Sequence, residues 1–242
     1  MPYTPQKYDP MHEIIDRMHH TLIAGCSGSG KSEAEKSILY AMLEKPPYDN
    51  LFILFDTKAV ELVDFQNAPH CAKYTDDINE IPAILEKVIE IMDARFKRMK
   101  AQGLKKTNEP ILWLVFDEYY DIVGTHIKRQ AQPLLNAIAQ KGRAAGILLM
   151  VCTQRCTRDV ISGMVQAQFS VMLGLRTRTS QDSRNILGMS GCEKLPRYGK
   201  GILQIDGINK EIEIPLTKEE YIHDRVDSWN RIDWRSKYGN RQ

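Results

Sequence analysis

"TLIAGCSGSGKSEAEKSIL", residues 21–39, sets three glycines and a lysine between a short apolar run and a helix-like run. It fits the pattern G-x-x-x-x-G-K-[ST] at Gly25, Gly30, Lys31 and Ser32. The small residues Gly25, Cys26, Ser27, Gly28, Ser29 and Gly30 let successive backbone N–H groups turn inward around phosphate oxygens. The positive end of a helix starting near Lys31 adds to that field. Lys31 is then placed to reach β- and γ-phosphates, and the Ser32 hydroxyl to ligate Mg²⁺. The stretch reads as a site for a nucleoside triphosphate.

Outward from this loop the pattern alternates. "TLIAG" reads as a buried strand, and "KSEAEKSILYAMLEK" as a helix stopped by Pro46-Pro47. "LFILFD" is a second buried strand. "INEIPAILEKVIEIMDARFKRMKAQG" has apolar residues at helical spacing and ends at Gly103. "ILWLVFDE" and "ILLMVCTQ" are further buried strands. Between them "HIKRQAQPLLNAIAQKGRAAG" is helical, its proline marking either a kink or the first turn. "FSVMLGLRT" reads as a fifth strand, and "GILQIDGINKEIEI" as a hairpin turning at Asp206-Gly207. Continuous apolar strands separated by helices predict an α/β fold: a mostly parallel sheet covered on both faces, with an antiparallel hairpin near the C-terminus. Residues 1–19 show no clear period and read as an arm or lead-in, 20–216 as one domain, and 217–242 as a tail.

The strand "ILWLVFDE" ends in two acids, Asp117 and Glu118, at the carboxyl edge of the sheet, where open α/β sheets bind ligands. Asp117 suits a Mg²⁺ ion held through its water shell. Glu118 suits a general base that polarises an attacking water. "CTQR" puts Gln154 at the tip of the neighbouring strand, in a position to contact a γ-phosphate and report its loss.

Charge and composition set bounds. The net charge is only +2, yet residues 141–200 hold ten Lys/Arg against three Asp/Glu. A basic segment in a near-neutral chain fits a polyanion partner met along one surface. The apolar runs are too short to span a bilayer, and no secretory leader opens the chain, so a cytoplasmic location is expected. The five cysteines are odd in number and scattered, without C-x-x-C spacing, and read as free thiols in a reducing compartment.

Taken together, "TLIAGCSGSGKS", "FDTKAVEL", "LVFDEYYDIV", "LLNAIAQKGRAAGILLMVCTQR", "DVISGMVQAQ" and "SQDSRNILG" resemble, in order and spacing, the FtsK/SpoIIIE family of DNA-pumping ATPases. The resemblance runs from about His19 to about Leu203. It implies a RecA-like P-loop NTPase core that hydrolyses ATP with Mg²⁺, assembles as a hexameric ring of identical subunits around double-stranded DNA, and moves along it. By the same resemblance Arg143 matches the arginine that enters a neighbouring subunit's ATP site. Such fingers are worth roughly 10³–10⁵ in rate where known. Asp56 and Lys58 match the family's Asp-Pro-Lys, with Thr57 in place of the proline.

The pore-facing basic positions of the family are only partly matched. Arg155 and Arg184 correspond, whereas Gln166 and Ser180 stand where lysines are expected. Arg176 and Arg178 lie close by and supply charge, which phosphate contact needs more than a fixed identity. The membrane-spanning segment, linker and winged-helix module of the full-length division motors are not matched, so the chain reads as a bare motor domain. The expected role is DNA transport for a mobile element, in conjugation or genome packaging, with a membrane anchor, relaxase or capsid partner supplied in trans. The alternative is a protein-export motor of the type VII secretion kind.

Overall fold

The computed structural model describes residues 9–157, 160 and 168–232. Eight strands form one sheet in the order β3-β2-β4-β5-β1-β6-β7-β8. The parallel members are β1 (Thr21–Ala24), β2 (Asn50–Phe55), β3 (Cys71–Thr75), β4 (Ile111–Phe116), β5 (Ile147–Thr153) and β6 (Val171–Gly174). β7 (Lys200–Ile205) and β8 (Ile208–Glu213) run antiparallel at one end. Asp206 and Gly207 join them with φ of 50° and 82°, the left-handed pair that a two-residue hairpin needs.

Side chains alternate across the sheet with period two, so each strand feeds two cores. Leu112, Leu114 and Phe116 of β4 pack on one face with Leu85, Val88 and Met92 of α3 (Ile81–Gln102), and with Leu135 and Ile138 of α5 (Lys128–Lys141). Trp113 and Val115 point the other way. There they meet α1 (Pro10–Asp16), α2 (Lys31–Leu43) and α7 (Glu219–Asn230), which contribute Ile14, Ile38, Leu39 and Ile222. The short α4 (Tyr120–Val123) and α6 (Ser180–Leu187) lie on the α3 side.

Four elements depart from the sequence reading. α1 forms where no period was visible, started by Asp9, whose Oδ1 accepts the Met11 N–H at 2.8 Å, and by Pro10 in its first turn. α7 docks through Val226 and through Trp229 Nε1, which donates to Leu43 O at 2.6 Å. β3 is a half-exposed edge strand whose "CAKYT" carries no apolar run. α6 opens with a reciprocal cap between Thr179 and Asp182. Pro133 lies inside α5, past its first turn. The five cysteines are free, and no helix among the described residues is long and apolar enough to cross a membrane.

Candidate functional site

β1 is the switch point of the sheet: the chain leaves it through α2 toward β2, while β6 pairs on its other side. The loop 25–30 emerges there and is pinned to both neighbours. Gly25 N donates to Thr153 O at 3.3 Å and Cys26 N to Arg176 O at 2.8 Å. A Cβ on Gly25 would stand 2.6 Å from Ser29 Oγ and 2.7 Å from Leu175 Cβ, so only glycine fits at this crossing. Gly28 and Gly30 hold φ of 73° and 89°, which lets the loop curl into the N-terminus of α2.

Lys31 is buried. Its Nζ donates to Asp117 O at 2.9 Å, forms a short contact with Asp117 Oδ1, and lies 3.7 Å from Glu35 Oε2. Burial works against the ammonium, but Glu35 and Asp117 outweigh it and hold its pKa above the usual lysine range. One cation faces two buried carboxylates, and the nearer, Asp117, takes the ion pair. Glu35, fully buried, is pushed up to about 8, by desolvation first, with Lys31 partly opposing.

Glu118 is held by three donors. Thr153 Oγ1 donates to its Oε1 at 2.8 Å, Gln154 N to its Oε2 at 3.1 Å and Tyr120 N to its Oε1 at 3.3 Å. It opens on a cleft of about 580 Å³ that Ser27, Lys58, Gln154, Arg155 and Arg178 also line. The sequence-derived positions Lys31, Ser32, Asp117, Glu118 and Gln154 thus converge on one end of the sheet. Arg143 does not join them. It is exposed, just before β5, and its charge bears on His19 and His20, which precede β1. The seven residues of β5 separate it from Thr153, about 20 Å at ~3.3 Å per residue.

Of the arginines read as polyanion contacts, Arg155 stacks on the Tyr120 ring, its guanidinium carbon 3.6 Å from the centroid. Arg176 is exposed beside the loop through its carbonyl bond to Cys26. Arg184 lies exposed on α6, with Nη2 donating to Ser180 Oγ at 3.1 Å. Gln166 lies outside the described residues.

Three participants escaped the sequence reading. Glu61, on the loop after β2, accepts the Ser32 hydroxyl at 2.6 Å. Its signal was present at the end of "FDTKAVEL", but nothing local says that this loop crosses to α2. Arg197 lies over the phosphate loop, where a Cβ on Gly28 would stand 3.2 Å from its Nη2. Thr153 sits in an apolar run, where its hydroxyl looks incidental. Thr57, in place of the family's proline, ties its loop to α4, donating through Oγ1 to Asp121 Oδ2 at 2.5 Å.

The hard oxygen donors Ser32 and Asp117, at the N-terminus of α2 and the end of β4, fit a Mg²⁺ that arrives with a triphosphate. Among the described residues no cluster of three or more His, Cys, Asp or Glu could hold a metal by itself.

A family model described as FtsK/SpoIIIE family matches residues 7–132. DNA translocase FtsK of Vibrio parahaemolyticus is 29% identical over 255 residues, covering 89% of this chain and 25% of the relative. DNA translocase SftA of Bacillus subtilis is 30% identical over 222 residues, covering 85% and 23%. The chain thus spans about a quarter of the length of the curated relatives it matches.

Among solved structures, the pCW3 conjugation coupling protein TcpA superposes with TM-score 0.78 at 19% identity, over 88% of this chain and 65% of that one. The type VII secretion ATPase EccC of Thermomonospora curvata gives 0.73 at 21%, over 87% and 28%. The DNA-packaging ATPase B204 of Sulfolobus turreted icosahedral virus gives 0.56 at 18%, over 83% and 98%. At these identities the likenesses show the fold, that of RecA-like P-loop ATPases.

Proposed function

Because this chain belongs to the FtsK/SpoIIIE family, we propose that it is the motor unit of an ATP-driven double-stranded DNA translocase. It hydrolyses ATP at sites shared between identical subunits of a ring, hexameric by family analogy. The observation that carries this reading is a division of labour. Lys31, Asp117 and Glu118 gather at one edge of the sheet, whereas Arg143 stands about 20 Å away at the other, where it can serve only a neighbouring copy.

The residues act as follows. The amides of Gly28 and of residues 30–32, with the Lys31 ammonium, bind and orient the triphosphate, while those of Gly25, Cys26 and Ser29 hold the loop itself in shape. Ser32 and Asp117 would hold Mg²⁺, which supplies charge neutralisation at the phosphates. Glu118, aligned by Thr153 and the Gln154 amide, accepts a hydrogen bond from the water that attacks the γ-phosphorus, with ADP as leaving group. Gln154 lines the same cleft and registers whether the γ-phosphate is attached. Arg143 of the adjacent copy neutralises the transferring phosphoryl group. Arg155, Arg176, Arg178 and Arg184 form the basic rim proposed to meet the DNA backbone.

The work is proposed to take place in the cytoplasm, in conjugative transfer or genome packaging, a reading supported by the fold shared with the conjugation coupling protein TcpA and the DNA-packaging ATPase B204. The EccC likeness favours a second reading, protein export, on fold alone; the DNA-translocase relatives at 29–30% identity weigh against it. Phosphate release measured with duplex DNA and with an unstructured peptide separates the two. Stimulation by DNA supports translocation, and stimulation by peptide alone overturns it.

A further inference from the structure

Resting on the shared-site reading, we propose that Arg95 is a positioning residue for the reaction. It mounts the turn that carries Arg143, so that the side chain offered to the neighbouring copy has a fixed direction. Arg143 is exposed, and no carboxylate among the described residues pairs with it. An exposed arginine with no such partner takes its aim from the backbone beneath it. That backbone is closed on itself: Gly146 N donates to Arg143 O at 3.2 Å and Ile147 N to Gly142 O at 2.9 Å. A Cβ on Gly142 would stand 2.5 Å from Ile147 O, so the turn admits no side chain there.

Arg95 reaches this turn from α3 and is only 5% exposed. Its Nη1 donates to Ala145 O at 2.8 Å and to Gly146 O at 3.2 Å, and its Nη2 to Pro110 O at 2.8 Å. Ala145 and Gly146 follow Arg143 closely in the chain. The loop that ends at Pro110 adds a bond of its own, from Thr107 N to Ala144 O at 3.1 Å. One planar fork thus ties together α3, the loop before β4 and the turn before β5. Satisfying carbonyls does not by itself account for it. Gly146 O already accepts from Leu112 N at 2.8 Å, and burying a guanidinium costs free energy that an apolar side chain would not. Glu109 does not explain it either: Arg98 holds that carboxylate at 2.8 and 2.9 Å, whereas Arg95 Nε, 3.5 Å away, makes no hydrogen bond among the described residues. The gain is a turn that cannot drift. A displacement of about 1 Å in a group that serves the reacting atoms costs roughly a hundredfold in rate.

The test is steady-state phosphate release by the full chain, for variants alone and in equal mixtures. Arg95→Met keeps a long apolar stem and loses the fork. It should lower kcat by about 10- to 100-fold, less than Arg143→Ala does, and leave the Kd for ATP within about twofold, since the phosphate loop is untouched. Mixed with Glu118→Gln, it should regain turnover above the sum of the two alone, because the Glu118→Gln copy brings a well-mounted Arg143. Mixed with Arg143→Ala it should regain nothing, because both copies lack the same part. A general loss of structure does not produce that pattern. Arg95→Lys, which keeps the charge without the fork, should fall between the unaltered protein and Arg95→Met. Full rate in Arg95→Met, or recovery with Arg143→Ala, would overturn the assignment. So would no recovery with Glu118→Gln under conditions where Arg143→Ala does recover. If Arg95→Met does not bind ATP, Arg95→Lys is judged by the same mixtures. Arg143→Ala with Glu118→Gln is the separate control: no recovery in that pair means that the shared site itself fails.

Discussion

Replacing Thr153 by valine keeps the shape of a side chain with no exposed surface and removes its hydroxyl. That hydroxyl is the nearest of the donors on Glu118, at 2.8 Å; the survivors are the Gln154 amide at 3.1 Å and the Tyr120 amide at 3.3 Å. Oε1 would keep only the longest of the three. A hydrogen bond to a charged group contributes about 1.5–3 kcal/mol, so losing the alignment it provides should lower kcat roughly 10- to 150-fold. The KM for ATP should stay within about twofold, because the link of Thr153 to the phosphate loop, its carbonyl accepting from Gly25 N, is kept by valine, and only the hydroxyl on Glu118 is lost. Steady-state phosphate release at saturating ATP, with and without duplex DNA, reads the effect. Thr153→Ser restores the donor and should recover most of the rate. A Thr153→Val protein with normal kcat, or a serine variant as slow as the valine one, would refute the idea that this strand-end hydroxyl aims Glu118.

Mixing Arg143→Ala with Glu118→Gln protein should regain turnover that neither shows alone, since each lends the part the other lacks; no recovery in a phosphate-release assay would sink the shared site. DNA binding should weaken with salt, and four phosphate contacts per subunit give a slope of about −3.6, roughly a hundredfold loss between about 50 and 200 mM; an anisotropy titration with a flat response would remove the arginine rim. Stability should fall on acidification. Burial lowers the His20 pKa from 6.5 to about 4, and its Nδ1 accepts the Leu149 N–H at 2.9 Å, so the folded state needs the neutral ring. The unfolded chain then binds more protons across that window, and stability rises with pH through it, by up to about 1.4 kcal/mol per pH unit for one such group. Denaturant melts from pH 4 to 6.5 should show a shallower dependence in His20→Gln, whose amide oxygen can take the same N–H; an unchanged slope would contradict this.

The central strands were legible because a strand buried on both faces has no choice but a continuous apolar run, as in "ILWLVF" and "ILLMVC". The phosphate loop was legible because its spacing answers to local geometry alone. What stayed hidden depends on contacts distant in sequence. β3 is specified by pairing with β2, not by its own half-exposed residues. α7 is held by an indole reaching Leu43, 186 positions away. Glu61 meets Ser32 only because the loop after β2 crosses over α2, a path no short window encodes. Arg197 and Thr153 likewise gain meaning from what lies beside them in space.

The sheet stops at β8, whose outward residues run Ile208, Asn209, Lys210, Glu211 and Glu213, three of the five charged, with Ile212 alone turned into the core. Charges along a margin of this kind penalise the alignment of a foreign backbone against it. Copies of the chain are therefore steered away from merging through this margin into one continuous β-structure. In the ring proposed above, contacts between neighbours would then fall to other surfaces and leave the hydrogen-bond ladder of each sheet closed within its own copy.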